Sequence, residues 1–316
     1  MDVAKSLVGL WCFVARSTVA NVHVVQMGDE KRLRESGDRV ASIRHLCEVQ
    51  KYSHTIDAWN ATRFECPYTA KVETIDAHLR RIPDGDWLVW MDLDVQYQHP
   101  RCSAWWRALP TRSADGTPCH LVALRTRATI NTGIVHVKAT TEMRAFVADW
   151  LREQVTRGYC GGPADQLSLQ TVMLRAAVAG YDGRCEEAQK GPYDPALLNA
   201  CFSREMGAPP ANVCLMSCAD RLQKHDCGNQ TDLRRGEYLF RHVRGRKLNR
   251  SAGLCTDDDD AGSTGPGPGG GSISWEEFVG SLGDLASASD AATRATAPFW
   301  LAAALAAACA LAATSC

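Results

Sequence analysis

The sequence predicts an α/β fold with a mostly parallel central sheet flanked by helices. Three observations predict it: the apolar strand Trp87 to Met91 ending in Asp92-Leu93-Asp94, helical periodicity on both sides of that strand, and turn-rich breaks between the periodic segments. With 316 residues, 45% of them hydrophobic, the chain can bury a large core and is not a disordered protein. Its acids and bases are mixed along the chain and its formal net charge is −1, which excludes a surface built for nucleic-acid phosphates.

The elements follow in order. Lys5 to Ala15 is expected to form the first buried strand, although one lysine before an apolar run also has the form of a short signal-peptide core. Val40, Ile43, Leu46 and Cys47 recur at helical spacing, and a second strand is expected around Thr55 to Trp59. Val72, Ile75 and Leu79 mark another helix, stopped by Ile82-Pro83-Asp84-Gly85 just before the acidic strand. Beyond Asp94 come a Trp-rich helix at Ser103 to Leu109, strands at His120 to Arg125 and Gly133 to Lys138, and a helix marked by Met143, Phe146, Val147, Trp150 and Leu151. Trp150 belongs to the core on this pattern.

Fourteen cysteines, five of them between Cys185 and Cys227, are more than a cytosolic enzyme usually carries. Residues 185–227 are read as a disulfide-stapled elaboration, because no Cys-x-x-Cys pair offers zinc-like spacing. Sequons at Asn60, Asn229 and Asn249 agree with passage through a secretory lumen. The compact domain is expected to span 1–255, followed by an acidic, Gly/Pro-rich tether at 256–272 that cannot bury a core. A short helix and polar spacer fill 273–297. The uncharged tail 298–316 matches a cleaved GPI-attachment signal, with a tail anchor as the alternative.

In α/β sheets the ligand crevice lies outside the carboxyl ends of the strands. Asp92 and Asp94 open into that crevice, and two carboxylates there can hold Mn²⁺ or Mg²⁺, hard cations that favour oxygen ligands. Asn131-Thr132-Gly133 places small polar groups at the start of a strand, where a purely structural turn would serve as well. Asp165-Gln166 follows a glycine-rich loop and opens a helix, a position that also suits an N-cap. Phe240-Arg-His242-Val-Arg-Gly245-Arg-Lys247 offers an imidazole, a glycine and a lysine in a segment that could equally be a solvated basic stretch.

In their order and spacing these pieces, over about residues 5 to 250, resemble glycosyltransferase sequence family 34, which holds galactosyl-, mannosyl- and xyloglucan xylosyltransferases. The resemblance implies a GT-A (Rossmann-like) nucleotide-diphospho-sugar transferase fold and a metal-dependent, retaining transfer from a nucleotide-diphosphate sugar, UDP-sugar favoured, to a glycan or glycoprotein hydroxyl. It implies that Asp92, Asp94 and His242 hold Mn²⁺ (or Mg²⁺), with Asp92 also reaching the donor ribose. Lys71, Asn131 and Lys247 would bind the donor, and Asp165 and Gln166 would face donor sugar and acceptor. A Golgi lumenal or membrane-tethered location follows, or the cell surface if the tail is a GPI signal. Departures are Leu93 between the acids, Ala164 before Asp165, the cysteine-rich stretch, and no family-type N-terminal anchor. Plant cell-wall arabinosyl- and xylosyltransferases are the second family the motifs resemble.

Two rival functions stand beside this one. A catalytically degenerate GT-A protein would keep the fold and bind nucleotide or glycan without turnover. A haloacid-dehalogenase-like phosphatase also carries Asp-x-Asp after an apolar strand, but its motif continues to Thr or Val two residues on, where this chain has Gln96.

Overall fold

A computed structural model describes residues 20–59, 66–113, 115–126, 130–158, 160, 164–185, 195–217, 239–242 and 254–256. The elements run β1 (Val22–Gly28), α1 (Glu30–Glu35), α2 (Gly37–Gln50), β2 (Ser53–Ala58), α3 (Pro67–Arg81), β3 (Trp87–Met91), β4 (Val95–Tyr97) and α4 (Ala104–Ala108). They continue with β5 (Leu121–Arg125), β6 (Ile130–Lys138), α5 (Thr141–Arg157), α6 (Ala164–Ala177), α7 (Pro195–Met206), β7 (Val213–Met216) and β8 (Phe240–His242). Six strands form one sheet in the order β2-β1-β3-β6-β5-β7, in which only β6 runs against the others. The α/β class and mostly parallel sheet are as the sequence predicts. β4 and β8 make a separate antiparallel ribbon.

Helices cover both faces of the sheet. Leu88 and Trp90 of β3 pack with Val72, Ile75 and Leu79 of α3 and with Met143, Val147 and Trp150 of α5. Val89 and Met91, on the opposite face, pack with Ile43, Leu46 and Cys47 of α2. Two buried faces explain why β3 is a continuous apolar run rather than an alternating one. α3 opens on Pro67 and ends at Ile82, whose conformation is extended because Pro83 follows. α5 is capped by Thr140, whose side chain accepts from Met143 N, and stops at Gly158, which takes a left-handed conformation with φ 57°.

Two strands differ from the sequence reading. The centre of the parallel half is Val22–Gly28, while Lys5 to Ala15 lies outside the described residues. Polar His23 and Gln26 interrupt its apolar run, and both are satisfied by tertiary partners. His23 sits between Ser53 Oγ (2.8 Å) and Asp86 Oδ2 (3.0 Å). Gln26, fully buried, accepts from His54 Nε2 at 3.0 Å through its Oε1. The second difference is β7, which lies inside the cysteine-rich stretch yet forms an edge strand of the main sheet beside β5. Among the described residues, four disulfides join Cys66–Cys160, Cys102–Cys255, Cys119–Cys214 and Cys185–Cys201. Only the last has both ends in that stretch, and Cys218 and Cys227 lie outside the described residues.

No helix of the described residues is long and apolar enough to cross a membrane. The tether, spacer and tail at 257–316, and the three sequons, also lie outside the described residues.

His136 of β6 is fully buried, and its Nε2 accepts from Trp105 Nε1 at 2.9 Å, so the ring is neutral with its proton on Nδ1. Burial pushes its pKa down to about 3. The unfolded chain takes up this proton below about pH 6.5 and the folded chain does not until about pH 3. Stability contributed by the neutral ring is therefore lost as pH falls through that window. Chemical denaturation across pH 3–7 should show a smaller acid slope for His136→Gln, which can still accept from Trp105 but does not titrate. Equal slopes would remove His136 as a source of acid lability.

Candidate active site

The site forms where the chain reverses direction across the sheet. From β1 the path runs through α1 and α2 to β2 on one side, then through α3 to β3 on the other. This makes the carboxyl ends of β1 and β3 a topological switch point, the position at which open α/β sheets bind ligands. Gly28 ends β1 there, and Asp92-Leu93-Asp94 follows β3. A Cβ on Gly28 would meet Leu93 Cδ1, so the glycine lets the Leu93 side chain lie directly on the end of β1. The turn itself is fixed by backbone bonds from Asp92 N to Gly133 O at 2.8 Å and from Val95 N to Asp92 O at 3.1 Å.

A cavity of about 400 Å³ opens at this point. Met27 and Gly28 of β1, Tyr68 and Lys71 of α3, Thr132 of β6, Asp165 and Gln166 of α6, and both Asp92 and Asp94 contribute to its wall. Lys71 is the hub. Its ammonium lies 2.9 Å from Asp92 Oδ1, 2.9 Å from Asp165 Oδ2 and 3.2 Å from Thr132 Oγ1, and 5.5 Å over the Trp90 ring. Burial alone would push the lysine pKa down, but Asp165 and Asp92 more than offset this and hold it above the ordinary value. Trp90 Nε1 donates to the same Asp92 oxygen at 2.7 Å, and Thr132 Oγ1 donates to Asp165 Oδ2 at 2.5 Å. Burial, and next the negative charge of Asp165, also raise the pKa of Tyr68 at the cavity wall.

Asp165 is not spent as a helix cap. It is 2% exposed in the first turn of α6, with its carboxylate turned to Lys71 and Thr132. Trp150 is a core residue whose Nε1 donates to Asp165 O and Ser168 Oγ, both at 3.0 Å, and so steadies that turn. Asn131, expected at the donor, is not on the wall of this cavity. Side chains of successive strand residues face opposite ways, so Thr132 reaches the cavity while Asn131 Oδ1 accepts from Gly133 N at 2.8 Å. The β4–β8 ladder pairs His242 with Val95, the residue after Asp94, which brings the backbone of the late motif beside the acidic turn. Lys247 lies outside the described residues.

The sequence reading missed Trp90 and Tyr68 as parts of the site. Trp90 is inside a strand that reads as core, and Tyr68 sits one residue after the proline that opens α3, with no pattern of its own.

No protein-family profile and no curated protein matches this chain. Among solved structures it is similar to a glycosyltransferase involved in glycosylation of the major capsid of PBCV-1, at 12% identity and a TM-score of 0.46, over 71% of this chain and 93% of that one. It is also similar to the galactosyltransferase LgtC in complex with donor and acceptor sugar analogs, at 12% identity and a TM-score of 0.32, over 71% of this chain and 87% of that one. A mutant of the Drosophila β1,4-galactosyltransferase 7 in complex with manganese, UDP-Gal and xylobiose is 10% identical, with a TM-score of 0.31, over 77% of this chain and 79% of that one. These are distant likenesses, and no residue role follows from them.

Proposed function

We propose that this chain is a GT-A glycosyltransferase that moves a sugar from a nucleotide-diphosphate donor, UDP-sugar favoured, to a glycan hydroxyl with retention of configuration. The observation that carries the reading is the Asp92/Asp94 pair at the switch-point crevice, on the wall of a cavity of about 400 Å³. The motif order shared with family 34 supports it.

The residues present fit a divalent cation. Asp92 Oδ1 is held by Lys71 and Trp90, which leaves Oδ2 to turn toward an ion, and Asp94 adds a second hard oxygen donor. Four carboxylates, Glu35, Asp92, Asp94 and Asp165, share the cavity wall with two cations, Arg32 and Lys71, a local excess of negative charge that a dication would neutralise. His242 is the third candidate ligand by the family resemblance, and a ligand set of one imidazole and two carboxylates suits Mn²⁺ better than Mg²⁺. When bound, the cation would supply charge stabilisation for the diphosphate leaving group. Lys247 is assigned the same departing charge by the family resemblance, and Asp165 and Gln166 are assigned to the donor sugar and the acceptor. Asp165, already charge-paired, is better suited to orienting hydroxyls than to covalent attack, which favours same-face substitution.

The secretory location, the division into a domain at 1–255, a tether at 256–272 and an anchoring tail at 298–316, and a glycoprotein or glycan acceptor belong to the same proposal. Their support is the four disulfides and the composition of the C-terminal third.

Purified chain offered a panel of UDP- and GDP-sugars with Mn²⁺ should release one nucleotide, chelator should stop it, and Asp94→Ala should lower it roughly 10²–10³-fold. Folded protein that binds Mn²⁺ and one nucleotide but releases nothing would support the degenerate binding protein instead. Chelator-insensitive hydrolysis of a generic phosphate ester would point to the phosphatase.

A further inference from the structure

Arg39 occupies the first turn of α2 and is 6% exposed. Both facts count against an arginine. The positive end of the helix dipole repels a cation in the first turn, and a buried guanidinium is costly unless its donors are met. Its hydrogen bonds reach the acidic turn and the junction of α1 and α2. Arg39 Nε donates to Leu93 O at 3.1 Å, and the Nη2 amine donates to Glu35 O at 3.0 Å and Ser36 Oγ at 2.9 Å.

Leu93 O is the carbonyl between Asp92 and Asp94. The Leu93 side chain, nearly buried, packs against Gly28 at the end of β1, where its Cδ1 lies over the glycine. The peptide joining the two acids is thus held at its carbonyl by α2 and at its side chain by the end of β1. Lys71 of α3 holds Asp92 Oδ1 from another side. Glu35 and Ser36, which accept from Arg39 Nη2, are themselves on the cavity wall. One guanidinium therefore ties the junction of α1 and α2 to the acidic turn.

We infer that Arg39 is a positioning residue for the metal site: it sets the spacing and orientation of the Asp92 and Asp94 carboxylates by clamping the peptide between them, without touching the ion or the substrate. The inference rests on the proposed reading of these two acids as metal ligands. Ligand orientation by partners one bond removed from the ion changes metal affinity or activity about 10- to 100-fold, and a constellation held loosely loses rate although every group is present.

The test is Mn²⁺ titration of the full chain by electron paramagnetic resonance, together with thermal unfolding in chelator, for wild type, Arg39→Met and Arg39→Lys. Arg39→Met should weaken Mn²⁺ binding about 10- to 100-fold. Arg39→Lys should recover part of the affinity, because an ammonium can still donate to Leu93 O but cannot reach Ser36 Oγ at the same time. With metal saturating, the KM for donor should change less than the affinity for Mn²⁺ does. If Arg39→Met does not fold, Arg39→Lys alone decides, by a several-fold weaker affinity at an unchanged Tm. Wild-type Mn²⁺ affinity in a folded Arg39→Met, or in Arg39→Lys when that is the only folded variant, would overturn the role of Arg39 and leave the metal site standing. A wild-type chain that takes up no Mn²⁺ would overturn the metal reading, and the role of Arg39 with it.

Discussion

Lys71→Met is expected to lower the unfolding free energy by about 3–5 kcal/mol, the usual cost of removing one partner of a buried ion pair. Two carboxylates depend on this ammonium, at 2.9 Å each, and one of them, Asp165, has almost no access to water. Without Lys71, Asp165 is a buried anion left with the Thr132 hydroxyl, and it must take up a proton or draw water into the wall. Methionine matches the length of the lysine stem and leaves the packing on Trp90 largely in place, so the loss measures charge rather than volume. Urea unfolding at pH 7 reads the effect, and a change below about 1 kcal/mol would show that the pairing is no better than a surface salt bridge. The pH dependence has a definite sign. Because the folded pKa of Lys71 is raised, its stabilisation is complete below the unfolded lysine value of about 10.4 and is lost only as the solution becomes more alkaline. Across the neutral range the wild-type and Lys71→Met denaturation midpoints should therefore differ by an amount that lysine titration does not change.

What could be read from the sequence follows from where polar groups sit. β3 was legible because it is buried on both faces and contains no polar residue before Asp92. α2, α3 and α5 were legible because each buries one stripe, at Val40, Ile43, Leu46, at Val72, Ile75, Leu79, and at Met143, Val147, Trp150. β1 was not, because its His23 and Gln26 look like loop residues until Asp86, Ser53, His54 and the Asp92 carbonyl are placed around them. The acids themselves could be found, since a strand that ends in Asp-x-Asp carries its own context. Of their partners, Lys71 entered only through the family resemblance and as a donor ligand, and Arg39 not at all. Lys71 and Arg39 lie on helices whose charged positions ordinarily face water, and only the tertiary fold turns these two inward. Asn131 illustrates the converse: the Asn-Thr-Gly motif was visible, but which of its side chains enters the cavity depends on strand phase, and phase gives the place to Thr132. Disulfide pairing was equally hidden, because Cys119 and Cys214 are 95 residues apart and meet only when β7 joins the sheet.

Asp165→Asn should retain the fold and lower kcat about 10²–10⁴-fold, the range for losing a group that acts on a proton or hydroxyl at the reacting centre. Asparagine keeps an oxygen that can accept from Thr132 Oγ1, so the hydroxyl stays satisfied while the charge is lost. Lys71 retains Asp92, so the cost in stability should be smaller than for Lys71→Met. The distinction that matters is between Asp165 as an actor and Asp165 as the counter-ion that keeps Lys71 on Asp92. A double-mutant cycle with Lys71→Met separates them. If Asp165 serves only the ion pair, Lys71→Met already removes that service, and adding Asp165→Asn should cost no further rate. If Asp165 also orients the donor sugar, the second substitution should still lower kcat in the Lys71→Met background. Wild-type kcat in Asp165→Asn at saturating donor and metal would withdraw both roles. It would leave Gln166, the next residue on the same helix turn and also on the cavity wall, as the group to test against the acceptor.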